Sequence, residues 1–188
     1  MFLDIGVGIL TATFISFIFS TKITAGLIFF AIIFALLPDA DFLYFYPQRK
    51  DTKYDHKHRD IIHYPLLYLP IGTVIMSLLL GNMWATTFLI ASFFHFLHDS
   101  IAIGWGIKWL YPFSKNNFSF FYLYSKKEKK GIRKLLFSFN EENLPEYVRE
   151  HGDKDWIANI YYKWHPIAIF EFCVFILSVI VLMIYAKK

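Results

Sequence analysis

His95 and Asp99 stand four residues apart at the end of an apolar stretch. On a helix this spacing puts an imidazole and a carboxylate on one face, where the two can hold one ion; an i, i+4 hydrogen bond capping a helix end is the ordinary alternative. His98 adds a third nitrogen, turned away by about 60° at 3.6 residues per turn, so it reads as a ligand, a partner supporting one, or an interfacial side chain. Leu37-Pro38-Asp39-Ala40-Asp41 closes another apolar stretch with two carboxylates. Proline stops the helix, but two anions beside a helix C-terminus oppose its dipole and call for a cation. A divalent metal supplies one, and alternating carboxylates suit oxygen-rich or mixed His/Asp sites. A third cluster, His56-Lys57-His58-Arg59-Asp60-Ile61-Ile62-His63, concentrates histidines and an arginine in one loop. A solvated charged loop would explain it, yet His63 is flanked by Ile62 and Tyr64, where an unsatisfied polar group is costly. Arg59 precedes His63 by four residues, so in a helix its guanidinium would face the same pocket, placed to grip a phosphate through two bonds. Glu171 lies about one turn inside a further apolar stretch, after Trp164-His165-Pro166. An acid at such depth points to a role, although a shallow one also snorkels or pairs with lysine. His165 and Asp4 join it as additional candidates, whereas His151 reads as an ordinary loop histidine.

The elements that must bring these residues together are membrane spans. Of 188 residues 56% are hydrophobic and 21% aromatic, with 22 Phe and 12 Tyr, beyond what a soluble domain of this length carries. A helix needs about 20 apolar residues to cross the hydrocarbon, fewer where the bilayer thins. Stretches 2–20, 23–37, 64–80, 83–99 and 166–186 qualify, predicting an all-α, polytopic single domain over 1–188 with about five transmembrane helices. Gly81-Asn82 marks a hairpin turn between the third and fourth, and Pro65 and Pro70 open or kink the third. If all five cross, the N-terminus, the 38–63 loop and the 100–165 insertion share one face. Of the 19 Lys and Arg, only Lys22, Lys187 and Lys188 fall on the other, a positive-inside bias that puts the large loops in the cytoplasm. The candidate acids and histidines then converge at that face.

In the insertion, the aromatic residues Trp105 to Tyr122 are expected at the headgroup layer, followed by two short helices at 144–150 and 155–163 split by Gly152. The run Lys126-Lys127-Glu128-Lys129-Lys130 suits an anionic membrane surface or a plain solvated loop. Net charge is +4, and no direct nucleic-acid binding is expected. The lone Cys173 excludes an intramolecular disulfide and is expected as a buried small hydrophobe. Met1-Phe2-Leu3-Asp4 lacks the basic start of a signal peptide, so the first apolar stretch is expected to stay.

Leu-Pro-Asp-x-Asp at 37–41, His-Arg-x-x-x-His at 58–63 and His-x-x-x-Asp at 95–99, followed by Gly104 and Pro112-Phe113, resemble the LexA-binding, inner-membrane-associated hydrolase family, YdjM-like proteins usually labelled membrane-bound metal-dependent hydrolases. The resemblance covers about the first 115 residues. It implies a multi-span helical protein with metal-dependent hydrolase activity and a looser likeness to zinc-dependent phospholipase C. Position by position it points to Asp39, Asp41, His58, Arg59, His63, His95 and Asp99. The chain departs from the family where Thr-His is usual near the N-terminus: Asp4-Ile5-Gly6 stands there instead, so one ligand is missing or replaced by Asp4. Asp60, Ile62 and Tyr64 likewise replace the Gly, Thr and Ser of the usual pattern after His-Arg.

The leading expectation is a hydrolase of a phosphoester or lipid-type substrate at the inner membrane surface, using zinc or manganese. Asp39, His63, His95 and Asp99 are its core ligands, with His58 a further one. Asp41 is the general base, and Arg59 stabilises developing negative charge. A metal or ion transporter and a non-catalytic membrane scaffold are the alternatives. Against transport, the candidate ligands gather at one interface rather than at the bilayer midplane.

Overall fold

The computed structural model describes residues 2–40, 62–102, 104–128 and 131–187. Of the expected site residues, Asp41, His58 and Arg59 lie outside them, as does His56.

Helices form where the apolar stretches predict them: α1 (Phe2–Ile18), α2 (Ala25–Leu36), α3 (Pro65–Leu80), α4 (Asn82–Asp99) and α6 (Pro166–Tyr185). Their ends follow from local chemistry. Thr24 caps α2 by accepting the Leu27 N–H at 3.1 Å, and His165 caps α6 through the Ile167 N–H, with Pro166 in the first turn. Gly81 joins α3 to α4 with a φ of 87°, a left-handed conformation that side chains other than glycine's resist.

α1 is the central helix, packing against α2, α4 and α6, while α3 packs on α4. The contacts are built from small residues. A Cβ at Gly8 would stand 2.6 Å from the Ile32 Cα, so only glycine lets α1 and α2 approach this closely. Ala12, Ile15, Leu27 and Ala31 form one buried cluster and Phe34, Ala35, Phe88 and Ala91 another. Phe34 meets Phe88 edge to face, with ring centroids 5.5 Å apart. Ser92 Oγ–H ties α4 to α2 by donating to the Phe34 carbonyl at 3.1 Å.

Among the described helices, α6 alone is both long and apolar enough to cross a membrane by length and composition. α1, α3 and α2 with its terminal turn are shorter apolar helices.

The insertion corrects the all-α expectation. It contains a three-stranded sheet of β1 (Ile101–Ala102), β2 (Asn117–Leu123) and β3 (Ile132–Phe139), in that order. β1 runs parallel to β2, which is antiparallel to β3 with Asn117 opposite Phe139 and Leu123 opposite Ile132. The aromatic run expected at the headgroups is in part this strand: in Asn117-Phe118-Ser119-Phe120, alternate residues turn inward, Asn117 and Ser119 buried, the two-residue period of a half-buried strand. The helical second half agrees with expectation, as α5 (Leu144–His151) and a π-helical turn at Ala158–Tyr162. Lys126 and Lys127 pair with Asp153 and Glu150 of this region. Cys173 is exposed rather than buried, because α6 buries Ala168, Glu171 and Ser178, and two residues beyond Glu171 the helix points the other way.

Candidate metal centre

α2 ends in a 3₁₀ turn, Leu37–Asp39, whose buried Pro38 stops the helix and leaves Asp39 at the rim, its side chain 47% exposed. His63 arrives immediately before α3, fully buried. The chain there is held by Tyr64, which stacks on Tyr111 of the insertion with centroids 4.2 Å apart. His95 and Asp99 occupy one face of the last turns of α4, both buried.

These four side chains form a closed ring. His63 Nε2 is 3.5 Å from Asp39 Oδ1 and 3.1 Å from Asp99 Oδ2. His95 Nε2 is 3.6 Å from the same Asp39 oxygen and 3.4 Å from the same Asp99 oxygen. One donor atom from each residue lies within 4.8 Å of all the others, an arrangement that could hold a metal ion. The spacing can be checked against coordination geometry: ligand atoms about 2.0–2.2 Å from a tetrahedral centre stand about 3.3–3.6 Å apart. The four measured edges scatter around that range. The buried His95 Nε2 has the two ring carboxylate oxygens near it, at 3.4 and 3.6 Å, longer than a good hydrogen bond. Such an atom is costly unless something else satisfies it, and two imidazoles with two carboxylates form a mixed donor set suited to a divalent ion.

The remaining candidates form a layer behind His95. Asp4 Oδ1, buried on α1, is 3.1 Å from His95 Nδ1 and 3.1 Å from His98 Nδ1. An ionised carboxylate can only accept, so His95 Nδ1 carries the proton and Nε2 keeps its lone pair for the ring. His98 turns away from the ring, and its Nε2 is 3.4 Å from Glu171 Oε1 on α6. The Tyr161 hydroxyl donates to both Glu171 oxygens at 3.0 Å. Burial, reinforced by the Glu171 charge, pushes the Tyr161 hydroxyl above its ordinary pKa, so it stays a donor. Asp4, His98 and Glu171 are thus supporting groups in this geometry. His165 caps α6, and burial holds its imidazole below the usual range.

Sequence reasoning missed Ser100. Fully buried beside Asp99, it donates Oγ–H to the Phe96 carbonyl at 2.8 Å and accepts the Trp109 indole N–H at 2.7 Å. Its carbonyl accepts from Ser119 Oγ at 2.9 Å and from the Phe120 N–H at 2.6 Å. The sheet thereby clamps the end of α4 that carries both ring residues. Its place next to Asp99 was the only signal, since Ser119 and Phe120 come from a strand the composition did not reveal.

No curated protein and no solved structure matches this chain. The family model described as YdjM inner membrane protein matches residues 4–188. That match takes in most of α1, the four ring residues and α6, and the chain belongs to the YdjM inner membrane protein family.

Proposed function

We propose that this inner membrane protein is a five-span, metal-dependent hydrolase whose centre faces the cytoplasmic headgroup layer and acts on a phosphoester, most naturally in a lipid. The observation carrying this reading is the closed ring of Asp39, His63, His95 and Asp99 with edges of 3.1–3.6 Å.

The five-span reading draws on an inverted surface. Buried positions in the bundle are often small or hydroxylated, such as Ala12, Ser16, Ala31, Ala35, Ala91 and Ser92, while Leu78, Leu79, Phe17 and Phe170 stand exposed, Leu78 at 81%. Lipid is the solvent that such an exterior suits. α1 at about 26 Å falls a little short of a roughly 30 Å core, within what bilayer thinning accommodates. The bias of Lys and Arg toward the 38–63 loop and the insertion orients that face to the cytoplasm.

Zinc or manganese in this ring would act as a Lewis acid toward a phosphoryl oxygen and favour ionisation of an attacking water. The chain's own residues do the rest. Asp4 fixes the His95 tautomer, and the buried faces of His63 and His95 exclude bulk solvent from two sides. The exposed Asp39 edge is the side open to substrate. On this reading Asp41 takes the proton of the attacking water, Arg59 neutralises the developing charge on the phosphoryl group, and His58 is a further metal ligand.

The test uses the full chain purified in detergent. Metal content and hydrolysis of phosphomonoester, phosphodiester and phospholipid substrates are measured for wild type, His95→Ala and Asp39→Ala. Stoichiometric metal lost in both variants together with turnover supports the reading. Ion flux in liposomes without hydrolysis would assign transport instead, and negligible metal with unchanged behaviour of His95→Ala would leave a scaffold.

A further inference from the structure

α4 and α6 both lean on α1, and between them lies a groove of about 1570 Å³ with α1 as its floor. This exceeds the roughly 300–1,000 Å³ of an ordinary small-molecule site. Its walls are apolar over most of their length: Leu10 and Phe14 on the floor, Ile90 and Phe94 on one side, Phe170 and Val174 on the other. Apart from Thr11 on the floor, its polar groups collect at the end nearest the ring, where Tyr122, Arg133, His165, His98 and Glu171 line it. His98 and Glu171 bridge α4 to α6 at 3.4 Å and close that end. With Glu171 held by His98 and Tyr161, Arg133 is the cation left facing outward, and no ion-pair partner of it occurs among the described residues.

The dimensions identify the occupant. From Leu3 to Phe14 the floor rises about 16 Å at 1.5 Å per residue. A single leaflet of hydrocarbon is about 15 Å deep, half of the roughly 30 Å core. A polar, cationic end followed by one leaflet's depth of apolar wall is the profile of a membrane lipid standing in its own leaflet.

We propose that the groove seats one phosphate-headed anionic lipid of the cytoplasmic leaflet, its acyl chains against α1 between α4 and α6 and its phosphate against Arg133. The seat is separate from the metal ring: Asp4 lies between them, touching His98, which lines the groove, and His95, which belongs to the ring. The inference rests on the transmembrane reading but not on hydrolysis.

Native mass spectrometry of the detergent-purified full chain, titrated with dioleoyl phosphatidylglycerol or dioleoyl phosphatidylcholine, tests it. Expected is one retained phosphatidylglycerol per chain, favoured about tenfold, or about 1.4 kcal/mol, over phosphatidylcholine. Leu10→Trp, which fills the floor, lowers retention of phosphatidylglycerol about tenfold, and Arg133→Glu abolishes the preference between the two lipids. Bound zinc, read in the same spectra, is unchanged in both variants; should Leu10→Trp misfold, Val174→Trp fills the groove from the opposite wall. Equal retention of the two lipids by wild type, undiminished retention in a folded groove-filling variant, or displacement of the lipid by excess inorganic phosphate overturns the proposal. Alkaline carbonate extraction of membranes separates the two levels of failure: a chain that extracts removes the transmembrane reading and the seat together, whereas a chain that stays while showing no lipid preference removes the seat alone.

Discussion

In the proposed centre Asp4 would be the residue that orients His95. It stands behind His95 rather than in the ring, holding Nδ1 at 3.1 Å. Partners of this kind are commonly worth about 10- to 100-fold in metal affinity. Asp4→Ala is accordingly expected to weaken zinc binding by about that factor, measured by chelator competition, with Asp4→Asn recovering part of the loss because its amide oxygen still accepts; equal affinity of Asp4→Ala and wild type would refute the role. The pairing of His95 with Asp99 was legible because helical spacing is local. The contact of Asp4 with His95 was not, because it joins residues 91 positions apart and depends on how α1 crosses α4. Asp153 gives an independent check in the insertion. Burial alone would raise its carboxyl, but hydrogen bonds from Asn159 and Tyr124 outweigh burial and hold it below the ordinary value. A carboxyl lowered by folding contributes its stability in full above the unfolded value of about 3.8 and loses it as the pH falls further. Melting temperatures of wild type and Asp153→Asn should therefore differ at pH 6 and converge only as the pH falls below about 3.8 through the lowered folded value; a gap that widened toward acid would show the sign to be wrong.

Helix positions were readable from apolar length alone, and all five lie within two residues of where the sequence placed them. The sheet was not, because Phe and Tyr serve equally in a strand and at a membrane interface, and composition does not separate the two. What distinguishes them is the two-residue burial period over Asn117 to Phe120 and the Ser100 anchors, both tertiary. Trp109→Phe removes one anchor from the end of α4. It is expected to cost about 1 kcal/mol and to weaken metal binding several-fold while leaving every ring residue in place; unchanged affinity would mean that the clamp does not position the ring. Gly8→Leu tests the helix packing. A side chain there meets the Ile32 backbone, so α1 and α2 must part, at a cost of about 1–3 kcal/mol or more. Thermal unfolding in detergent reads this directly, and a variant as stable as wild type would contradict the close approach.

Across the molecule, an apolar bundle with many large residues on its outside carries its cluster of acids and histidines at one pole, beside a small sheet and two short helical segments. The pole was legible because charged residues are excluded from long apolar helices, so alternation of apolar and polar stretches sorts them toward the helix ends. The four candidate ligands were legible as well: the sequence singled out Asp39, His63, His95 and Asp99, and these are the residues that close on one another among the described residues; what needed coordinates was the layer behind them, in which Asp4 meets His95 and His98. The five-span reading expects a cysteine introduced at Lys127 to react from the cytoplasmic side and one at Asn82 from the opposite side, in a Cys173→Ala background; labelling of both from one side would refute that topology. The most direct test of the central claim is X-ray absorption at the zinc edge on the zinc-loaded full chain. The account predicts one ion with two imidazole nitrogens and two carboxylate oxygens at about 2.0–2.2 Å, and loss of an imidazole shell in both His63→Ala and His95→Ala. A spectrum that neither substitution alters, or a chain that retains no zinc, would contradict it.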